Sequence, residues 1–207
     1  MRDLLTSVGM TSCPRDPFTY GDSIKSAADA GFVLDWCHLD LKKELGSYDC
    51  FRECLKILVT KPNIDAVLIF QDDIEVSKNL SQLKLPPEVW NKKTGIVSLY
   101  TAGPQQPEIP GWSKLPQTEN SEPLYGALAV LMPKNVAVDF SMNPPNPAAM
   151  TMTDFWLSQY CKAKELDIWI HSPSFVRHTG VVSAIESTWP ADWPARNCKD
   201  FCLEINT

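Results

Sequence analysis

The chain has 207 residues, 44% of them hydrophobic, enough for one buried core, and a formal net charge of −6. That acidic balance leaves no global basic footprint for nucleic acid or an anionic membrane, although a local basic groove stays open. No apolar run approaches the roughly 18 residues of a membrane span, and Met1-Arg2-Asp3-Leu4-Leu5 is too short and too acidic for a secretory signal, so a soluble cytoplasmic protein is expected.

Residues 3–9 read as a first strand. Tyr20 to Ala30 reads as a helix ended by Gly31, a natural C-cap, and Phe32 to Cys37 as a second strand. Ser47 can cap a helix from Tyr48 to about Thr60, with Phe51, Leu55, Leu58 and Val59 at helical spacing. Ala66 to Phe70 is a third strand. This β-α-β-α-β order implies an α/β fold with a mixed, mostly parallel sheet covered by helices. Ile96 to Leu99 is a short strand. Residues 101–122 are rich in proline and glycine and read as a long irregular loop, of the kind that often binds or covers a ligand. Tyr125 to Met132 is another strand, and Pro133 opens a short helix. Residues 143–147 form a stiff break, Thr151 or Thr153 caps a helix to about Leu166, and Asp167 to Ile170 is a last strand. The tail, with Trp189, Pro190, Trp193 and Pro194, reads as an arm packed on the domain. One domain over 1–207 is expected, with a first half to about residue 100 and a second half and arm beyond it.

Seven cysteines are scattered along the chain. Cys50 with Cys54, and Cys198 with Cys202, have i, i+4 spacing rather than the two-residue zinc knuckle, so buried free thiols are expected.

The run Val67-Leu68-Ile69-Phe70-Gln71-Asp72-Asp73 carries most of the chemistry. Its apolar part reads as a buried central strand, and the end of such a strand is where an open α/β sheet binds ligands. Two adjacent carboxylates there repel one another and are costly to desolvate unless a cation sits beside them. A divalent metal held by one or two carboxylates plus phosphate oxygens fits; a strand that stops at a polar turn is the plain alternative.

The ordered segments TSCPR (11–15), SIKSAADAGF, IFQDDIEV, YGALAVLMPK, TDFWL and PSFVRHTG resemble those of GT-A-fold glycosyltransferases over about residues 4–185. They are similar in particular to inverting enzymes with an EDD-type variant of the DxD motif, including the N-acetylglucosaminyltransferase group. The resemblance implies a hexosyl- or N-acetylhexosaminyl-type transferase acting on a nucleotide-sugar, most simply a UDP-sugar, with Mn²⁺ or Mg²⁺ as cofactor. It implies Asp73 as metal ligand, Asp72 beside it, and His178 completing the metal site, where an imidazole favours Mn²⁺. A satisfied histidine near a turn is the alternative for His178. Asp154 falls at the family's general-base position, which favours catalysis over the plain alternative of a first-turn acid stabilised by the helix dipole. Thr11 and Arg15 fall where relatives hold the nucleotide base and phosphates, and Asp35 is a candidate for base or ribose recognition that could equally be a core-edge acid. Gln71 stands where many relatives have Glu, which keeps hydrogen bonding to the donor ribose but not the charge. Tyr125 and Gly126 line the donor sugar, and Trp112 and Arg177 are acceptor candidates.

The compact size suggests a bacterial or phage enzyme. Its acceptor could be a glycan, a lipid-linked intermediate, a protein side chain or a hydroxymethylated base in phage DNA. A nucleotidyltransferase also uses two carboxylates and a metal, and a non-catalytic nucleotide-sugar-binding module accommodates Gln71. No G-x-x-x-x-G-K-[ST] phosphate loop is present, which counts against a P-loop enzyme.

Overall fold

A computed structural model describes residues 4–12, 20–42, 45–143, 152–179 and 198–205. Its first half runs β1 (Thr6–Ser12), α1 (Tyr20–Asp29), β2 (Trp36–Leu39), α2 (Ser47–Leu58), β3 (Ala66–Gln71) and β4 (Ile74–Val76). The second half runs β5 (Thr94–Ser98), β6 (Gly111–Lys114), β7 (Ala129–Pro133), α3 (Lys134–Met142), α4 (Thr153–Ala163), β8 (Asp167–Ser172) and β9 (Val176–His178). Seven strands form one sheet in the order β2-β1-β3-β7-β5-β8-β6, and β4 pairs with β9 in a separate two-stranded sheet. Strands β2, β1, β3, β5 and β8 run one way; β7 and β6 run the other. The expected mixed, mostly parallel α/β sheet is therefore the observed one.

The apolar run of β3 is buried on both sides, as a central strand requires. Alternate residues serve two cores. Ala66, Leu68 and Phe70 join Ala27 and Ala30 of the α1 face. Val67 and Ile69 join Phe51, Leu55 and Leu58 of α2, Phe140 of α3, and Leu157 and Tyr160 of α4. Each large apolar side chain buried this way contributes about 1.5–3 kcal/mol. At Gly9 of β1 an added Cβ would lie 2.7 Å from Leu58 Cδ1 and 2.8 Å from Cys54 Sγ, so the absent side chain lets α2 close onto the sheet. Among the described residues, no helix is long and apolar enough to cross a membrane.

Several expectations shift. Strand β1 starts and ends later than 3–9, and β2 follows Phe32 to Leu34, which join no ladder. Gly46, not Ser47, caps α2, and Met152 caps α4, with Thr153 its first helical residue. Strand β7 begins at Ala129 rather than Tyr125; Gly126, at φ +76°, takes the chain out of the extended conformation before it. The stretch 101–122 is not irregular throughout: it holds a 3₁₀ turn over Gly103–Gln105 and the edge strand β6, paired antiparallel with β8. Among the described residues no disulfide forms; Cys50, Cys54 and Cys161 are buried as expected, while Cys37, Cys198 and Cys202 are only partly so. Cys13, residues 144–147 of the proline break and the arm with Trp189 and Trp193 lie outside the described residues.

Candidate active site

The parallel strands β1, β3, β5 and β8 end at one edge of the sheet, and the antiparallel β7 begins there. Helix α4 leads into β8, so its first turn comes to the same edge. Sheet topology alone thus gathers Ser12, Gln71, Asp72, Asp73, Tyr100, Gly126 and Asp154.

Asp72 and Asp73 follow β3 directly and are only 1% and 5% exposed. Ser12 Oγ donates to Asp72 Oδ2 at 2.5 Å. Ser23 of α1, itself buried, donates to the Asp72 carbonyl at 2.8 Å and accepts the Ile74 N–H at 3.1 Å, fixing the turn from both sides. Strand β4 then pairs Ile74 with His178 of β9. That register puts His178 Nε2 3.0 Å from Asp73 Oδ2, with both side chains 8% exposed. The Thr179 N–H closes the arrangement on the Asp73 carbonyl at 2.9 Å.

Asp154 lies in the first turn of α4. Its Oδ2 accepts the Gly126 N–H and its Oδ1 accepts the Phe155 N–H, each at 2.9 Å. Burial pushes this carboxyl above the ordinary carboxylate range, and the two N–H donors, which pull the other way, only partly offset it. Gly126 reaches Asp154 because it has φ +76° and no side chain: a Cβ would stand 2.7 Å from Cε1 of the Tyr100 ring. Tyr100 is fully buried two residues after β5; burial above all, with smaller contributions from Cys198 and Asp73, disfavours its ionised form. Its ring packs against the Gly126 position that presents an N–H to Asp154.

The other residues singled out in the sequence scatter more widely. Thr11 is buried opposite Gln71 and bonds the Phe70 carbonyl at 3.4 Å. Gln71 ends β3, with its N–H on the Leu128 carbonyl at 2.8 Å. The Tyr125 N–H goes to Gln105 Oε1 at 2.9 Å. Arg15 lies outside the described residues. Asp35 does not reach this edge. It precedes β2, level with Val8, four residues (about 13 Å) back along β1 from Ser12. There Ser7, the Val8 N–H and Lys61 hold it, a structural anchor. Trp112 sits on edge strand β6, packed against His171 and Phe175 at centroid distances of 4.7 and 5.8 Å, rather than on an open loop. Arg177 is paired with Glu75 at 2.6 Å and lies over the Phe201 ring. Ser12, Ser23, Tyr100 and Gln105 escaped the sequence reading. Ser12 and Ser23 stood inside noted motifs, but neither was singled out.

No protein-family model matches the chain, and no curated protein matches it in sequence. Among solved structures it is similar to A197 from STIV, at 8% identity and a TM-score of 0.51 over 86% of each chain. It is also similar to the catalytic domain of Drosophila β1,4-galactosyltransferase 7 in complex with xylobiose. There the identity is 10% and the TM-score 0.52, over 97% of this chain and 84% of that one. At such identities the likeness establishes the fold: a GT-A-like mixed sheet flanked by helices.

Proposed function

We propose that the chain is a metal-dependent glycosyltransferase that moves a sugar from a UDP-sugar to an acceptor hydroxyl with inversion. The observation that carries this reading is one sheet edge holding both a buried Asp73–His178 pair and a buried Asp154 whose carboxylate accepts two backbone N–H groups. The Drosophila domain of the same fold is a galactosyltransferase, which agrees with it.

The donor atoms fit a divalent cation. Asp73 Oδ2 and His178 Nε2 are 3.0 Å apart, the cis spacing of two ligands in an octahedron with bonds of about 2.1 Å. Among the described residues no group of three or more His, Cys, Asp or Glu could hold a metal, so the protein would supply few ligands and leave the rest to phosphate and water. That is the habit of Mg²⁺ and Mn²⁺, and the imidazole favours Mn²⁺. Bound there, the ion would offset the charge that develops on the departing diphosphate.

The chain's own residues do the rest. Ser12 and Ser23 hold Asp72 against rearrangement beside the donor. The Gln71 amide, at the end of β3, faces the ribose. Asp154 takes the proton of the acceptor hydroxyl as that oxygen attacks the anomeric carbon. Its N–H donors fix the carboxylate in place, and its raised pKa makes it a stronger base than an ordinary aspartate. With Asp154 as base and the acceptor oxygen itself attacking, the displacement is direct and inverts the anomeric carbon. The test separates binding from chemistry. Asp154→Asn should bind a UDP-sugar in Mn²⁺ as the parent does, while donor hydrolysis and transfer fall at least a hundredfold. Parent-like turnover in the variant would end this reading.

A further inference from the structure

Two adjacent glutamines after β5 point opposite ways. Gln105 ends the 3₁₀ turn Gly103–Gln105 and clamps the segment before β7. Its Oε1 accepts the Tyr125 N–H at 2.9 Å and its Nε2 donates to the Pro123 carbonyl at 2.6 Å. That segment is held from beneath by α4. The Leu124 N–H goes to Ser158 Oγ at 2.7 Å, and the Gly126 N–H goes to Asp154. Gln106, by contrast, is buried and faces the C-terminal strap. Its Oε1 accepts the Lys199 and Asp200 N–H groups at 2.7 and 3.1 Å, and its Nε2 donates to the Asp200 carbonyl at 3.0 Å. The strap in turn braces the strand that carries His178. Ser174 exchanges backbone bonds with Asp200 and Cys202, Ser77 Oγ donates to the Cys202 carbonyl, and Phe201 lies under Arg177.

We propose that Gln105 and Gln106 are positioning residues that set the two halves of the site separately: Gln105 aims Asp154 through the Pro123–Gly126 segment, and Gln106 holds the strand that carries His178 through the strap. A geometric error of about 1 Å at a reacting group can cost a hundredfold in rate, so two side-chain clamps at one turn are a sufficient control point. The pair has different consequences from a generic stabilising contact. Loss of Gln105 should damage the proton-transfer step; loss of Gln106 should damage the hold on metal and donor.

The inference rests on the proposed transferase reading, and its test is built to fail separately. In a UDP-sugar turnover assay with Mn²⁺, Gln105→Met should lower kcat at least tenfold with the donor KM within twofold. Gln105→Glu, which keeps the acceptor for Tyr125, should recover most of that loss. Gln106→Met should raise the donor KM at least fivefold with kcat within threefold; Gln106→Glu, which keeps both strap N–H groups satisfied but loses the N–H donated to the Asp200 carbonyl, should raise the donor KM about twofold with kcat unchanged and serves if the methionine variant does not fold. The same fractional loss of kcat in both variants with unchanged KM, as a smaller folded fraction would give, overturns the proposal. Absence of turnover in the parent would sink the transferase reading alone, because the wiring is also read by NMR. Gln105→Met should move the Tyr125 and Gly126 amides and the Asp154 carboxyl carbon but not the His178 ring, and Gln106 variants should do the reverse. Both variants shifting one common set would overturn it.

Discussion

Gly126→Ala is the sharpest test of how the site is built. Two costs add. A non-glycine residue in the left-handed region costs about 1–2 kcal/mol. The new Cβ would also fall 2.7 and 3.0 Å from two carbons of the Tyr100 ring, which is fully buried and has nowhere to turn. The segment must therefore back away, taking the Gly126 N–H from the Asp154 carboxylate, a bond worth about 1.5–3 kcal/mol when one partner is charged. The sum is about 2.5–5 kcal/mol, or a fall in Tm of roughly 5–20 °C for a chain of this size. Denaturant unfolding followed by tryptophan fluorescence reads it directly. Gly21 is the internal control: it lies in α1 with nothing within 4 Å of its Cβ position, so Gly21→Ala should stabilise by about 0.5–1 kcal/mol. In a double-mutant cycle, trimming Tyr100 to Leu should make Gly126→Ala cheaper by at least about 1 kcal/mol. A loss below about 0.5 kcal/mol at Gly126, or additivity with Tyr100→Leu, would refute the argument.

Three further outcomes are expected. The rate should fall as pH drops through the pKa of Asp154, which lies above the ordinary carboxylate range; because a raised carboxyl pKa contributes stability below that range and loses it as pH rises, Asp154→Asn should gain stability relative to the parent across that rise, and a pH-independent difference in unfolding free energy would contradict this. Ser23→Ala should cost about 1–3 kcal/mol, since it leaves the Ile74 N–H and the Asp72 carbonyl buried without their hydroxyl partner; unchanged unfolding would show that the Asp72–Asp73 turn stands without α1. Lys164, Tyr160 and Asn143 hold the Asp139 carboxyl down at about 2, so Asp139→Asn should destabilise by about 1 kcal/mol at neutral pH and the gap should close as pH falls from about 4 towards 2; a gap that persists at pH 2 would point to packing instead.

What the sequence disclosed follows from how local each signal is. Helix α1 and strand β3 were legible almost to the residue, because a glycine stop and an unbroken apolar run are local signals. Strand β6 was hidden inside a proline-rich stretch: it is an edge strand of four residues that forms only because β8 offers a free edge beside it. Strands β4 and β9 are three residues each, too short for any periodicity, yet their pairing is what brings His178 to Asp73 across more than a hundred residues. Asp72 and Asp73 could be singled out because paired carboxylates at the end of an apolar strand are costly without a cation, and Asp154 because it falls at the base position of the family the sequence resembles. Ser12, Ser23, Tyr100 and Gln105 could not, because a buried serine, a core tyrosine and a loop glutamine look the same in sequence whether or not they hold a site. Asp35 shows the converse, an acid whose role turned on which end of a strand it occupies.

The central claim is that Asp73 and His178 hold a divalent cation on which donor binding depends. Calorimetric titration of a UDP-sugar into the parent chain and into Asp73→Asn, each with Mn²⁺ and with EDTA, tests it most directly. Metal-dependent binding in the parent that disappears in the variant is the predicted result. Donor affinity that is the same with and without Mn²⁺, or the same in both proteins, would contradict the account.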